Sequence, residues 1–299
     1  MCLKLLCQIF YNVTMIDYDF VYDLKLIKNC LELSDEDLAL RLNVSRQTIN
    51  NWLNNKNKIS PLAREMLYSI AYKRKLNINL LKTRLFEDDK ENNTLLFHGS
   101  KTGINGDIDL RFSNPNSDFG QGFYLGENLK QAATWVSENP LGSVYCLYLD
   151  TKDLNIVKFD VNLQWIVSIC YYRGYLNKYK NSKYLKELLN KIEAADVIIA
   201  PIADNIMYMT MRDFSEGFIS DEQCSHSLSA NHLGQQYVLK SEKAIKQLKP
   251  VAKLYLCQDE RDYYSQIKLE ENHNGEEKSK LARRQYQGKG KYIDDIFKN

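Results

Sequence analysis

Over residues 21–85 apolar positions recur at helical spacing in short, interrupted blocks. "YDLKLIKNCLEL", "DEDLALRL", "RQTINNWLNN" and "LAREMLYSIAYKRKL" each read as a short helix. Ser34 stands ahead of Asp35, Glu36 and Asp37, an N-cap followed by an acidic first turn. The stretch "FEDDKENNT", residues 86–94, has no apolar period and predicts a linker.

From residue 95 the texture changes. "TLLFHG", "SVYCLYLD", "NIVKFD", "DVIIAP", "QQYVLKS" and "VAKLYLC" are rich in Val, Ile and Tyr and predict strands. Among the helical stretches between them is "ENLKQAATWVSE", where Leu129, Ala132, Ala133 and Val136 fall at i, i+3, i+4 and i+7. Strands with a minority of helices predict an α+β domain over residues 95–257. The tail 258–299, including "EENHNGEEKSKLARRQYQGKGKYIDD", is charged and is expected to be disordered. Residues 1–20 are left as an extension, with Met15 an alternative start for the chain.

Composition narrows the class only modestly. Hydrophobic residues at 44% and charged residues at 26% are those of an ordinary soluble globular protein. The opening "MCLKLLCQIF" is too short to span a membrane, and no membrane partner is expected. Cysteines 2, 7, 30, 146, 170, 224 and 257 form no C-x-x-C pair, which predicts reduced, mostly buried thiols and a cytoplasmic location. Cys224 and His226 have no second ligand pair near them in sequence, so no metal site is expected.

Charge is more informative. The chain has a net charge of +2, yet within residues 21–85 Lys and Arg exceed Asp and Glu by six, which suits contact with phosphates. "SDEDLALRLNVSRQTINNWLNNKNKISP" resembles the helix-turn-helix of the phage-repressor-like family. Asn43 tolerates a left-handed turn where that family usually has glycine, and Val44 plugs the corner. Ser45 then caps a second helix carrying Arg46, Gln47, Thr48, Asn50 and Asn51, the expected DNA-contacting residues, with Ile49 and Trp52 facing inward. The plainer alternative is a helical bundle used for protein contacts or dimerisation.

"LLFHGS" and "DFGQGFYLGENLKQAATW", residues 95–100 and 118–135, together resemble the poly(ADP-ribose)-polymerase and diphtheria-toxin class of ADP-ribosyltransferases. Closest is a bacterial family of unknown function with that fold, which "ADVIIAPIADN" and "QQYVLKSEKAIKQL" also resemble. The resemblance covers residues 95–257 and implies a split β-sheet domain that takes NAD as substrate, with no metal. It implies that His98 bonds a ribose hydroxyl, that the Gly99 backbone pairs with the nicotinamide amide, that Ser100 adds a hydroxyl contact, and that Tyr124 and Trp135 offer aromatic faces to the ring. Gly120 and Gly122 allow a tight loop ahead of Tyr124.

Two positions depart from the pattern. Ala132 stands where the polymerases commonly carry serine, and Gln236 falls where the class places a glutamate. Glutamine accepts a hydrogen bond but brings no negative charge to an oxocarbenium-like transition state, which argues against polymer elongation. A glutamate at position 236 is therefore expected to raise turnover, and Asp204 and Glu127 are carboxylates that can compensate. The resulting expectation is a mono-ADP-ribosyltransferase, with His98, Tyr124 and Gln236 as its catalytic residues and a protein or nucleic-acid acceptor. Its setting by analogy is a toxin–antitoxin or phage-defence system, with an antitoxin or a second copy as partner. The alternatives are a DNA-binding regulator that senses NAD or ADP-ribose, and an NAD glycohydrolase.

Overall fold

The computed structural model describes residues 17–230 and 233–298. The opening decapeptide, Met15, Cys2 and Cys7 lie outside the described residues.

Five helices come first: α1 (Phe20–Cys30), α2 (Asp35–Arg41), α3 (Arg46–Leu53), α4 (Pro61–Lys73) and α5 (Ile78–Asp89). They close around Leu24, Ile27, Leu38, Ile49, Trp52 and Leu67, all buried. The predicted cap on α2 is a full capping box, Ser34 and Asp37 each bonding the other's backbone N–H. Asn43 has φ of +52°, the left-handed turn expected between α2 and α3. The linker begins later than expected, because α5 runs through the first four residues of 86–94.

The second region alternates strands and helices. In chain order they are β1 (Thr94–Ser100), β2 (Phe123–Gly126), α6 (Leu129–Val136), β3 (Ser143–Leu149), β4 (Ile156–Lys158), α7 (Leu163–Tyr172), α8 (Lys183–Glu193), β5 (Val197–Pro201), α9 (Asn205–Ser215), α10 (Asp221–Ser229), β6 (Gln235–Leu239), α11 (Glu242–Lys246) and β7 (Leu248–Leu254). All six predicted strands are present. The missed one, β2, is four residues long inside the glycine-punctuated stretch, too short to show alternation. In α6 the buried residues are Leu129, Ala132, Ala133 and Val136, the predicted stripe.

The seven strands form one sheet in the order β4-β5-β6-β2-β1-β3-β7, antiparallel apart from the β4–β5 pair. Its joint is narrow. Strand β1 pairs with β3 along its whole length, Thr94↔Leu149 to Ser100↔Ser143, but meets β2 at the single pair Phe97↔Gly126. The α+β domain is therefore two half-sheets hinged on one residue pair, and beyond Phe97 the β2-facing edge of β1 has no strand partner among the described residues. On one face Leu95, Phe97, Val144 and Cys146 pack against α6, while Ile198, Ala200 and Val238 pack against α7 and α9. On the other face lie Leu96, Leu125, Tyr145 and Leu147.

The tail is helical, contrary to the sequence expectation. Helix α12 (Gln258–Gln285) runs for 28 residues and is followed by α13 (Ile293–Phe297). Its composition reads as unstructured because most of its circumference is polar. It docks through a few buried positions, Glu260, Arg261, Tyr264, Gly275 and Ser279, and through ion pairs such as Lys130–Glu271 and Arg283–Asp213. The segment leading into it packs on the N-terminal module: Tyr255 donates to Glu65 at 2.6 Å, and Cys257 completes that module's core.

Candidate functional site

The histidine that ends the apolar run of β1 sits at the hinge. Its Nδ1 lies 2.8 Å from the carbonyl oxygen of Tyr124. A carbonyl only accepts, so Nδ1 carries the proton and Nε2 is left as an acceptor in the neutral ring. Burial pushes the His98 imidazole below its usual range, an effect the bond to Tyr124 partly opposes. The ring stacks on Phe123 at 4.4 Å, on the face that also carries Tyr145.

Gly99 has a packing reason that its expected ligand role did not include. A Cβ there would lie 2.6 Å from the Ala132 carbonyl oxygen and 3.2 Å from Cδ1 of Trp135, so glycine lets β1 press against α6. Gly122 is comparably confined, since a Cβ would meet a Val238 methyl at 2.7 Å, and its N–H donates to Ser113 Oγ at 2.7 Å. Ser100 ends β1, paired with Ser143. Trp135 is 63% exposed, with the Lys101 ammonium 4.7 Å from its ring centroid.

Tyr124 is occupied differently from the expectation. Its ring is packed into the core, and its hydroxyl accepts from Phe119 N–H at 3.0 Å and donates to the Gly120 carbonyl at 2.7 Å. Burial raises its pKa, so it stays a phenol. The Lys240 ammonium clamps the same loop by donating to the carbonyls of Phe119 and Gln121.

Gln236, paired with Gly126 and Ala200, is 7% exposed while Gln235 is exposed, the alternation expected of β6. The Gln236 Nε2 donates to Asp118 Oδ2 and to the Pro201 carbonyl, each at 3.0 Å. His98 and Gln236 therefore approach the hinge from opposite faces of the sheet, and no hydrogen bond joins them.

Sequence reasoning missed Asp118. Its carboxylate is buried among three donors: Gln236 on Oδ2, and on Oδ1 the Arg173 guanidinium at 2.9 Å and the Tyr208 hydroxyl at 2.8 Å. The Arg173 guanidinium also lies over the Tyr208 ring at 3.4 Å. The available signal was Asp118's place as the first residue of the glycine stretch, a charge ahead of an apolar strand.

Beside this cluster opens a cleft of about 440 Å³, within the usual range for small-molecule sites. Its walls include Trp135 and Gln131 of α6, Arg173, Tyr208, and Lys268 with Glu271 of α12. His98, Tyr124 and Gln236 are not among its lining residues; Asp118 connects Gln236 to it through Arg173 and Tyr208. Of the two compensating carboxylates, Asp204 lines the cleft but caps α9 by accepting from Met207 N–H, and Glu127 accepts from Gln235 N–H. Cys224 and His226 part company, the thiol donating toward the Thr210 carbonyl and the imidazole stacking on Tyr286.

In the N-terminal module Arg46, Gln47 and Asn50 are exposed on α3, while Thr48 and Asn51 are half-buried. Ser45 caps α3, its Oγ accepting from Thr48 N–H at 3.0 Å, and Gln47 donates to Asn51 one turn on. Arg46 pairs with Glu36 of α2, both well exposed, a weak pairing that phosphate can replace. Lys56 and Lys58 extend the basic surface past the end of α3.

Comparison with known proteins agrees with this division. A family model described as helix-turn-helix matches residues 27–63, spanning α2, the turn and α3, so the N-terminal module is a helix-turn-helix. No curated protein and no solved structure matches the chain. A second family model matches residues 94–249, more than half of the chain and almost the whole sheet, and by that match the chain belongs to the family described as protein of unknown function (DUF3990).

Proposed function

We propose that the α+β domain binds NAD and transfers its ADP-ribosyl group to a protein or nucleic-acid acceptor, while the helix-turn-helix binds DNA. The observation that carries the reading is the His98–Tyr124 bond across a sheet joint that has one strand pair. There a strand edge without a strand partner among the described residues offers backbone N–H and C=O groups, and a neutral imidazole keeps Nε2 to accept from a hydroxyl. Trp135 adds an exposed aromatic face beside Gly99.

In the proposed reaction the bond between the ribose C1′ and the nicotinamide nitrogen breaks, and its electron pair leaves with nicotinamide. The acceptor's lone pair forms the new bond to C1′, and its proton passes to solvent. The chain's part is to hold the two ribosyl substituents in line and to present oxygen acceptors to the developing positive charge.

A second reading, a DNA-binding regulator that senses NAD or ADP-ribose, is favoured by one specific feature. Helix α12 contributes Lys268, Glu271 and Asn272 to the cleft, and its first turn is bonded to the helix-turn-helix module through Asp259 to Ser69 and Glu260 to Asn79. Purified full-length protein incubated with labelled NAD, with and without lysate, separates the readings. Transfer gives free nicotinamide and labelled macromolecules, and hydrolysis gives nicotinamide alone. Sensing gives neither, but it gives an NAD-dependent change in DNA affinity.

A further inference from the structure

The carboxylate that position 236 lacks is present one hydrogen bond away. Asp118 is 6% exposed, lies in the loop before β2, and is bonded from three separate elements: β6 through Gln236, the C-terminus of α7 through Arg173, and α9 through Tyr208. A buried carboxylate is tolerated only when its oxygens are satisfied, and here the two oxygens are divided. Oδ1 takes the guanidinium and the phenol that line the cleft, and Oδ2 takes the Gln236 amide.

The consequence falls on the amide. Both N–H groups of Gln236 are committed, to Asp118 Oδ2 and to the Pro201 carbonyl. An amide so held cannot flip, because a flip would set its oxygen against two acceptors. Its Oε1 takes no hydrogen bond from the described residues and is not sealed from solvent. Negative charge at the nitrogen end of an amide polarises it and strengthens the oxygen end as an acceptor.

We propose that Asp118 is a positioning residue for the transfer reaction, which fixes the Gln236 amide with its oxygen toward the ribose and, while sharing its charge with the Arg173 guanidinium, polarises that amide so that the oxygen accepts more strongly. This rests on the NAD-dependent reading above. On this reading a carboxylate–amide pair, Asp118 with Gln236, takes the place of the class's single carboxylate.

The test compares nicotinamide release by the full chain, wild type, with Asp118→Asn and with the exchange variant Asp118→Asn/Gln236→Glu, which restores a carboxylate–amide pair in reversed order. Asp118→Asn is expected to lower kcat on the order of 100-fold, the loss typical of one preorganised polar contact, with little change in KM. The exchange variant is expected to recover most of that loss. The proposal is overturned if Asp118→Asn keeps wild-type kcat, or if a folded exchange variant that still gains Tm with NAD is no faster than the single variant. If Asp118→Asn does not fold, the exchange variant decides alone: a kcat within about 10-fold of wild type supports the proposal, and a loss on the order of 100-fold in a folded chain that still gains Tm with NAD overturns it. A wild-type chain that neither releases nicotinamide nor gains Tm with NAD removes the underlying reading, and the proposal with it.

Discussion

His98 donates Nδ1–H to the Tyr124 carbonyl at 2.8 Å, tying β1 to β2 just past their one strand pair. The imidazole thus does in the fold what further ladder bonds would do in a continuous sheet, and it leaves the adjoining edge open.

Removing that tie should therefore affect both stability and ligand. His98→Ala is expected to cost about 1–2 kcal/mol through the lost bond and the lost ring contact with Phe123. It should also abolish the rise in Tm that NAD produces in wild type, since only a ligand that prefers the native site stabilises it. Calorimetry with and without NAD checks this, and an undiminished NAD shift in the variant would remove His98 from the site.

Gln236→Glu reverses an expectation drawn from sequence alone. By charge alone a carboxylate there is the better group for a developing cation. In the structure it would face the Asp118 carboxylate across 3.0 Å and leave the Pro201 carbonyl without its donor. The single substitution should cost roughly 1–3 kcal/mol and lower turnover. Gln235→Glu, on the exposed face of β6, should be near neutral. Denaturant midpoints of the two variants decide the register of the strand.

Binding of duplex DNA should weaken steeply with salt, because the excess positive charge of residues 21–85 acts through counterion release. The Arg46→Ala/Gln47→Ala pair should lose sequence preference by about 1–3 kcal/mol for each base contact removed. Titration at two salt concentrations measures both quantities. The full chain is the right material, since Cys257 is part of the module's core. If affinity and preference are both unchanged, α3 is a protein-contact helix.

Glu260 gives a pH dependence with a definite sign. Buried at the start of α12, its carboxyl is pushed up from 4.5 to about 8, chiefly by burial and against the bond from Asn79. The folded state then holds a proton that the unfolded chain releases. This stabilising contribution is complete below about pH 4.5 and is lost as pH rises through about 8. Glu260→Gln keeps an oxygen for Asn79 and cannot ionise, so its Tm advantage over wild type should grow between about pH 5 and pH 9, by roughly 2 °C for each kcal/mol. An advantage that is constant across that range would show that Glu260 does not titrate there.

What the sequence determined by itself is local. The N-cap at Ser34, the left-handed Asn43, the buried stripe of α6 and the alternation of β6 all depend on neighbours within a turn or a strand, and each is where its residue pattern put it. Helix α12 failed that reading because its order comes from docking on α4, α6, α9 and α10 rather than from its own apolar content. The site was divided in the same way. His98, Gly99, Tyr124, Trp135 and Gln236 stand out only through the resemblance to the ADP-ribosyltransferase class, and their partners do not stand out at all. That Tyr124 spends its hydroxyl on its own loop, and that Gln236 is bonded to a carboxylate 118 positions away, are outcomes of chain closure. Only tertiary structure decides such pairings, because a buried polar group must be matched by whatever donor or acceptor the packed fold delivers to it, wherever that group lies along the chain.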